Sequence, residues 1–329
     1  MRTMKAAVFV KPGQIILDEK PIPKAGPGEA VIKVTTTTIC GTDVHILKGE
    51  YPVKPGLIIG HEPVGVITEL GAGVTGYQIG QRDRKSTRLN SSHITIDGCQ
   101  AEYLLVPDAM ANMEPIPDDL TDEQVLMCPD IMSTGFSGAE SGRVKIGDTV
   151  VVFAQGPIGL CATAGAKLRG ATRIITVDGI PERLAISKRM GADITINFRE
   201  KDPIEEIMKI TNGQGVDVAI EALGTQGTFE SCLRVLKPGG VLSSLGVYSG
   251  GVTVPGDAFA AGLADQAIVT TLCPGGKERM RRLLNVVQSG RVDTQQLVTH
   301  RFKLDQIEEA YDLFANARDG VLKIAITTE

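Results

Sequence analysis

The strongest constraint on the fold is a buried strand that leads into a glycine-bearing turn and then into a helix. Residues 149–154 form a continuous apolar run, Thr-Val-Val-Val-Phe-Ala, of the kind that a parallel strand covered on both faces requires. A Gly-Pro-Ile-Gly turn at 156–159 and a helical stretch at 160–169 follow. The next strand, 173–178, ends in an acid nineteen residues after the last of these glycines. This order predicts a β-α-β unit that binds a dinucleotide.

The residues of this turn predict how a nucleotide is held and which nucleotide is preferred. Ala154 replaces the first glycine of the usual fingerprint, Gly156 allows the backbone to approach a pyrophosphate, and Gly159 permits close helix packing. An acid at Asp178 accepts hydrogen bonds from ribose hydroxyls and repels a 2′-phosphate, which favours NAD over NADP. Arg183 complicates the choice between NAD and NADP, because an arginine near the ribose can bind the 2′-phosphate or lie against the adenine. The predicted cofactor-binding residues here are Gly156, Pro157, Ile158, Gly159, Asp178 and Arg183.

The rest of the chain divides into two kinds of sequence. Strand and helix signals alternate as far as about residue 273 and predict six parallel strands wound by helices on both sides. Residues 5 to about 80 instead contain short β segments broken by glycine and proline, which predict a partly open barrel. Because 329 residues exceed what one hydrophobic core usually supports, we expect a β-rich domain and a doubly wound α/β domain.

Two candidate metal ligands lie close together in the β-rich part. Cys40 opens the run Cys-Gly-Thr-Asp-Val-His, and His61 is followed by Glu62. Zinc prefers thiolate and imidazole donors, and a catalytic zinc takes three protein ligands and keeps one position open. Thr42, Asp43 and His45 carry groups that can move protons. Taken alone, Cys40 can equally be a small buried hydrophobe and His61 a hydrogen-bonded core histidine.

The chain resembles the zinc-dependent medium-chain alcohol dehydrogenase family. The runs 40–45, Cys-Gly-Thr-Asp-Val-His, and 60–62, Gly-His-Glu, carry the resemblance, which covers nearly the whole chain. The phrases at 130–136, Asp-Ile-Met-Ser-Thr-Gly-Phe, and at 272–276, Leu-Cys-Pro-Gly-Gly, resemble the bacterial secondary-alcohol (isopropanol-type) branch in particular.

The resemblance implies a division into two domains of known type. A GroES-like β-rich catalytic domain is expected over 1–131 and 274–329. A Rossmann NAD-binding domain, with a doubly wound parallel six-stranded sheet, is expected over 132–273.

The resemblance also implies the ligands of a single catalytic zinc and further cofactor contacts. The zinc ligands are Cys40, His61 and Asp130, and Glu62 is an intermittent fourth ligand. No structural zinc is predicted. The additional cofactor-binding residues are Thr134, Gly246 and Val247.

The implied activity is the reversible NAD-dependent oxidation of a secondary or short primary alcohol to a ketone or aldehyde, with the substrate oxygen on the zinc. Thr42 is the implied acceptor of the hydroxyl proton, which passes towards solvent through the cofactor ribose and His45. Three alternatives stay open. A zinc-free quinone or enone reductase shares the fold, and a polyol or amino-acid dehydrogenase shares the metal site as well. An NAD-binding chain inactivated by a foreign segment shows no turnover.

That foreign segment is residues 83–93, Asp-Arg-Lys-Ser-Thr-Arg-Leu-Asn-Ser-Ser-His, which have neither helical nor alternating periodicity. Read as ordinary protein, they form a basic solvated loop. They also match one in-frame translation of a common short-read sequencing adapter that begins GATCGGAAGAGC. We interpret the segment as adapter sequence that has replaced native codons, because a chance match over all eleven residues is hard to credit. Related dehydrogenases carry a longer segment here. His93 is accordingly given no catalytic role.

Charge and composition exclude several classes of partner. A net charge of -5 and a pI near 5.6 give no electrostatic reason to expect nucleic acid or an anionic membrane. No window approaches the ~18 consecutive apolar residues of a membrane helix. The first five residues lack a signal-peptide layout, and the six cysteines are widely scattered, so we expect a cytoplasmic enzyme with free thiols. The expected partners are a small alcohol or ketone and further copies of the chain, with a homotetramer favoured over a dimer.

Overall fold

The computed structural model of the chain describes residues 2–85, 95–248 and 250–328. Its strands, in chain order, are β1 Thr3–Lys11, β2 Gln14–Pro21, β3 Ala30–Thr38, β4 Val64–Leu70, β5 Arg82–Lys85, β6 Tyr103–Val106, β7 Met113–Pro115, β8 Thr149–Phe153, β9 Arg173–Asp178, β10 Ile194–Asn197, β11 Val216–Glu221, β12 Leu236–Ser244, β13 Ala267–Thr270, β14 Val298–Lys303 and β15 Lys323–Thr327. Its α-helices are α1 Gly41–Leu47, α2 Ala109–Asn112, α3 Asp122–Val125, α4 Ser133–Ser141, α5 Pro157–Leu168, α6 Pro181–Met190, α7 Pro203–Ile210, α8 Gln226–Arg234, α9 Lys277–Gln288 and α10 Ile307–Ala315.

The chain divides into two compact units. The discontinuous unit comprises Met1–Asp130 and Pro274–Glu329, and the continuous unit comprises Ile131–Cys273. Each unit has its own sheets and its own buried apolar clusters. The described part of the chain contains no helix that is both long enough and apolar enough to cross a membrane.

Within its described residues, the discontinuous unit has a seven-stranded sheet in the order β14-β15-β3-β4-β5-β7, with β6 also paired to β3, and a separate β1-β2 hairpin. Strand β3 is its central element, because it pairs with β15, β4 and β6. One of its faces places Ala30, Ile32 and Val34 in an apolar cluster with Ile67 of β4 and Leu104 of β6. The many short strands agree with the β-rich, GroES-like fold expected from the sequence.

The register of this sheet positions the residues that follow its strands. Strands β3 and β4 are antiparallel, with Thr36 opposite Val64, so the end of β3 lies beside the start of β4. The segments just beyond these ends, 39–41 and 60–63, are therefore neighbours. Strand β15 is antiparallel to β3 on its other side, with Ala325 opposite Thr38, so residue 323 also lies near the end of β3.

The continuous unit contains the predicted doubly wound sheet. Its six strands are parallel and run in the order β10-β9-β8-β11-β12-β13. Strand β8 is fully buried beyond its first residue, as its unbroken apolar run requires. The prediction of a six-stranded Rossmann-type sheet is confirmed.

Two sequence interpretations need correction or restriction. The N-cap residue Thr121, followed by two acids, predicts a helix that leads towards Asp130. The helix that forms, α3, is only one turn long, and a π-helical turn at Cys128–Met132 carries Asp130 instead. The interpretation of 83–93 as a loop is wrong at its start, because residues 83–85 lie in β5 and pair with β7. Residues 86–93 of that segment, including His93, lie outside the described residues.

Candidate metal centre and nucleotide site

One thiol, one imidazole and two carboxylates converge in the discontinuous unit. One ligand atom from each of Cys40, His61, Glu62 and Asp130 lies within 4.8 Å of every other. Cys40 Sγ is 3.5 Å and His61 Nε2 is 3.2 Å from the same oxygen, Asp130 Oδ2. Glu62 Oε1 is buried and has no hydrogen-bond partner among the described residues. Sulfur, nitrogen and carboxylate donors at this spacing, with an acceptor left unsatisfied, fit a zinc ion.

Asp43 orients two of these candidate ligands. Its Oδ2 accepts a hydrogen bond from the Cys40 backbone N–H at 2.9 Å, and its Oδ1 lies 3.3 Å from His61 Nδ1. Burial by itself lowers the pKa of His61, but the Asp43 charge and the hydrogen bonds with Asp130, Asp43 and Cys40 outweigh it and raise the pKa well above its usual value. The contact with Asp43 at Nδ1 leaves Nε2 facing the cluster, which is the arrangement that carboxylates give to metal-binding histidines.

A buried lysine accompanies the carboxylate of Glu62. Lys323 Nζ lies 2.6 Å from Glu62 Oε2 and donates to the Ile39 carbonyl at 3.1 Å, and both charged side chains are 1% exposed. Burial lowers the pKa of Lys323, but the Glu62 and Cys40 charges outweigh it and raise the pKa, so the ammonium group stays charged. The pair thus adds no net charge to the cluster.

The residues predicted to move protons lie on the same helix. Thr42 and His45 belong to α1, which begins directly after Cys40. The His45 side chain is 40% exposed, contacts the Glu50 carboxylate through Nδ1, and meets the Tyr51 ring edge-on with 6.1 Å between centroids. The structure therefore brings the helix to the cluster and leaves His45 open to solvent.

The predicted phosphate-binding turn lies at the N-terminus of α5 in the continuous unit. Gly156 is the N-cap residue, and a Cβ added to it would meet no atom within 4 Å. A Cβ on Gly159 would lie 1.9 Å from the Ala154 carbonyl oxygen, so only glycine fits there. Pro157 and Ile158 form the first turn of the helix.

Asp178 ends β9 at the same edge of the sheet. Its Oδ2 accepts from the Gln155 backbone N–H at 2.6 Å and its Oδ1 from the Ile180 backbone N–H at 2.9 Å. Asp178 therefore holds the backbone of the predicted nucleotide turn in place, and its remaining lone pairs are available to accept hydrogen bonds from a ligand. Arg183 follows in the first turn of α6.

The other predicted cofactor residues lie in the same unit. Gly246 and Val247 follow the carboxyl end of β12, which is parallel to β8 and β9, so all three strand ends share one edge. Val247 is exposed, whereas Thr134 is buried in the first turn of α4.

Sequence reasoning missed Lys323 and the orienting role of Asp43. Asp43 has a local signal, because it stands three residues after Cys40 and forms a capping interaction with its backbone. Lys323 has none, since a lysine in a C-terminal strand ordinarily indicates an exposed position.

Comparison with known proteins places these sites in a family. Residues 26–118 match the alcohol dehydrogenase GroES-like domain, and residues 157–289 match the zinc-binding dehydrogenase family. An alcohol dehydrogenase from Cupriavidus necator is 62% identical over 359 aligned positions, which cover 98% of each chain. The chain belongs to the zinc-dependent medium-chain alcohol dehydrogenases. The oxidation of alcohols is accordingly the chemistry that its site serves.

Two further similarities extend this comparison. An NADP-dependent isopropanol dehydrogenase from Thermoanaerobacter brockii is 34% identical, covering 97% of this chain and 98% of its own. The solved structure of zinc dependent alcohol dehydrogenase 2 from Streptococcus pneumonia, in its apo form, is 33% identical with a TM-score of 0.91, covering 99% of both chains. The alignment with the Cupriavidus alcohol dehydrogenase is longer than this 329-residue alcohol dehydrogenase, so the relative holds residues without a counterpart here.

Proposed function

We propose that this alcohol dehydrogenase catalyses the reversible NAD-dependent oxidation of a secondary or short primary alcohol to a ketone or aldehyde. The observation that carries the proposal is the convergence of Cys40, His61, Glu62 and Asp130 within 4.8 Å. A zinc ion held there supplies Lewis-acid polarisation of an alcohol or carbonyl oxygen. A nicotinamide nucleotide held by the continuous unit supplies or accepts the hydride.

The charges of the cluster suit this assignment. The Cys40 thiolate and the Asp130 carboxylate offset the two charges of zinc, and Lys323 offsets Glu62. An alcohol loses its hydroxyl proton less readily beside a negative charge. A centre without net charge does not oppose this ionisation. We assign Cys40, His61 and Asp130 as permanent ligands and Glu62 as a fourth ligand of intermittent contact.

The proton path is assigned to α1. Thr42 takes the hydroxyl proton, and His45 passes it to solvent, where its exposed ring contacts Glu50. A histidine beside a carboxylate and open to water is suited to this transfer, because one ring nitrogen can accept a proton while the other donates one.

NAD rather than NADP is the proposed cofactor, although the Thermoanaerobacter relative is named as NADP-dependent. Asp178, 5% exposed at the carboxyl end of β9, presents a carboxylate where a 2′-phosphate would approach the ribose. Gly156 to Gly159, Thr134, Gly246 and Val247 complete the assigned site. Arg183 is assigned to the adenine side.

The substrate class is assigned by similarity. The isopropanol dehydrogenase relative acts, by its name, on a short secondary alcohol, and the runs at 130–136 and 272–276 resemble the same branch. A panel of short secondary alcohols, polyols and amino acids with free hydroxyl groups separates this assignment from the polyol and amino-acid dehydrogenases of the family.

Self-association is proposed from the edge of the parallel sheet. Strand β13 is the last strand of that sheet and carries exposed apolar side chains in and around it, namely Leu263, Ile268 and Leu272. An exposed apolar edge strand is a template for pairing with another chain. We therefore propose a homo-oligomer, and the resemblance to the secondary-alcohol branch favours a tetramer over a dimer.

Zinc content tests the metal centre. Elemental mass spectrometry on dialysed protein is expected to give about one zinc per chain. Cys40→Ser and Asp130→Ala are expected to lose most of it, whereas the control Cys99→Ser, at another buried cysteine of the same unit, keeps it. Full turnover by a zinc-free Cys40→Ser variant would establish a zinc-free reductase instead.

The ratio of kcat/KM for NAD to that for NADP tests the cofactor. Asp178→Asn removes the charge while keeping an acceptor for the Gln155 and Ile180 backbone N–H groups. The ratio is expected to fall by about tenfold, equal to about 1.4 kcal/mol. A wild-type preference for NADP would refute the assignment.

A further inference from the structure

A buried hydrogen-bond chain leads from Tyr311 of α10 through Gln100 to Asp43, whose carboxylate lies beside the candidate metal centre. Tyr311 Oη donates to Gln100 Oε1 at 2.7 Å, and Gln100 Nε2 donates to Asp43 Oδ2 at 3.2 Å. The other Asp43 oxygen lies 3.3 Å from His61 Nδ1. All four residues belong to the discontinuous unit and are at most 9% exposed. Bonds between such buried groups are strong, because water does not compete for them.

The partners of the Gln100 side chain fix its orientation. Nε2 donates its two protons to Asp43 Oδ2 and, at 3.1 Å, to the Thr38 carbonyl, while Oε1 accepts from Tyr311. A reversed amide would place its oxygen against two acceptors. Burial, and then the Asp43 charge, raise the pKa of Tyr311 well above its usual value, so its hydroxyl stays protonated. The donor and the acceptor of each hydrogen bond from Tyr311 to Asp43 are therefore fixed.

The backbone before His61 is shaped to admit Gln100. Gly60 has a φ of +97°, and a Cβ at this position would lie 2.6 Å from Gln100 Cγ and 3.0 Å from its backbone nitrogen. Both the left-handed conformation and the close approach require glycine. The turn that delivers His61 to the cluster is thus the turn against which Gln100 packs.

We propose that Tyr311 and Gln100 are positioning residues of the metal centre, which fix the Asp43 carboxylate and through it the orientation of the His61 ring. The inference rests on the zinc site proposed above. Among the described residues, Gln100 supplies one of the two hydrogen bonds that hold Asp43 Oδ2, and the Cys40 backbone supplies the other. Its loss leaves the carboxylate free to turn away from His61 Nδ1. Outer partners of metal-binding histidines typically change metal affinity by about 10- to 100-fold.

Zinc affinity, measured by competition with a chromophoric chelator, tests this role without reference to turnover. Tyr311→Phe and Gln100→Leu in the full-length chain are each expected to weaken zinc binding by about tenfold or more. Tyr77→Phe is the matched control, because the Tyr77 hydroxyl is also buried and donates to the Met113 carbonyl at 2.8 Å, away from the cluster. The double variant is expected to bind zinc no more weakly than Gln100→Leu alone, because Tyr311 acts through Gln100.

Several outcomes overturn the proposal. Affinities of Tyr311→Phe within about twofold of wild type, or losses matched by Tyr77→Phe, show that the hydroxyl does not position the centre. Losses that multiply in the double variant show that the two residues act separately. If Gln100→Leu fails to fold, Tyr311→Phe, which removes one oxygen, decides the question alone. A wild-type chain that binds no zinc refutes the metal centre and this inference together, whereas unchanged affinities in variants of a zinc-binding chain refute only the inference.

Discussion

Ala154 is the residue at which the nucleotide-binding turn departs from glycine. Its φ of +69° lies in the left-handed region, where a Cβ costs roughly 1–2 kcal/mol. Strain of this kind is retained where surrounding contacts over-determine the backbone, and here Gly159 packs directly against the Ala154 carbonyl. The left-handed conformation of Ala154 is thus maintained by its contacts, although it lowers the stability of the folded protein.

Ala154→Gly is expected to raise the free energy of unfolding by about 1 kcal/mol, because glycine adopts this φ without steric cost. Urea denaturation monitored by circular dichroism measures the shift. The control Ala164→Gly, in the middle of α5, is expected to lower stability by about the same amount. Equal destabilisation by both substitutions would contradict the strain at Ala154.

Lys323→Met is expected to lower the stability of the metal-free protein by about 3 kcal/mol, since it leaves the Glu62 carboxylate buried without its cation. The urea midpoint measures the loss. Lys323→Met combined with Glu62→Gln is expected to recover most of it, because the second change removes the stranded charge. A double variant as unstable as the single one would show that the ammonium group acts through its bond to the Ile39 carbonyl instead.

At the scale of elements, the two glycines at the start of helix α5 have different surroundings, which predict a ligand-binding role for one and a structural role for the other. Gly156 and Gly159 occupy one turn, yet only Gly159 is pressed against backbone. The open space beside Gly156 lies at a helix N-terminus, where backbone N–H groups and the helix dipole attract phosphate.

Gly156→Ala is accordingly expected to leave the unfolding temperature unchanged and to weaken NADH binding by about tenfold or more. Gly159→Ala is expected to lower the unfolding temperature, because its Cβ would lie 1.9 Å from the Ala154 oxygen. Thermal unfolding without cofactor and NADH fluorescence titration read out the two effects. Unchanged NADH affinity in Gly156→Ala would place the pyrophosphate elsewhere.

Across the whole molecule, the two candidate sites belong to different compact units. All four candidate metal ligands lie in the discontinuous unit, and the nucleotide turn lies in the continuous unit. Each unit has its own buried core, so local stability need not be shared between them.

Removal of zinc by a chelator is expected to speed hydrogen exchange in peptides that cover α1 and residues 58–64, because two acids, a thiol and an imidazole lose their common counter-ion. Peptides from β8, β9 and β11 are expected to keep their exchange rates. Hydrogen exchange with mass spectrometry measures both sets, and Asp130→Ala without chelator should reproduce the pattern. A uniform rise over the whole chain would contradict a local metal centre.

The nucleotide-binding unit is predictable from the sequence alone. Residues 149–178 contain a buried strand, a glycine turn, a helix and an acid in one contiguous stretch, and the contacts among them are short in sequence. Local propensity and turn chemistry are enough to specify such a unit. Cys40 and His61 are also predictable as candidate ligands from the sequence, because their spacing matches a family pattern and they flank strands that pair.

The completion and the charge of the candidate metal centre depend on contacts between residues that are distant in sequence. Asp130 is already implied by the family resemblance, and the structure adds the π-helical turn that carries it. Lys323 reaches the cluster through the register of β15 against β3, and Gln100 and Tyr311 join it from two distant segments. Residue type alone gives no sign of these roles, since a lysine, a glutamine and a tyrosine are ordinarily found at or near the surface. Their function follows from burial and from partners up to 284 residues away, and long-range sheet register and packing determine both.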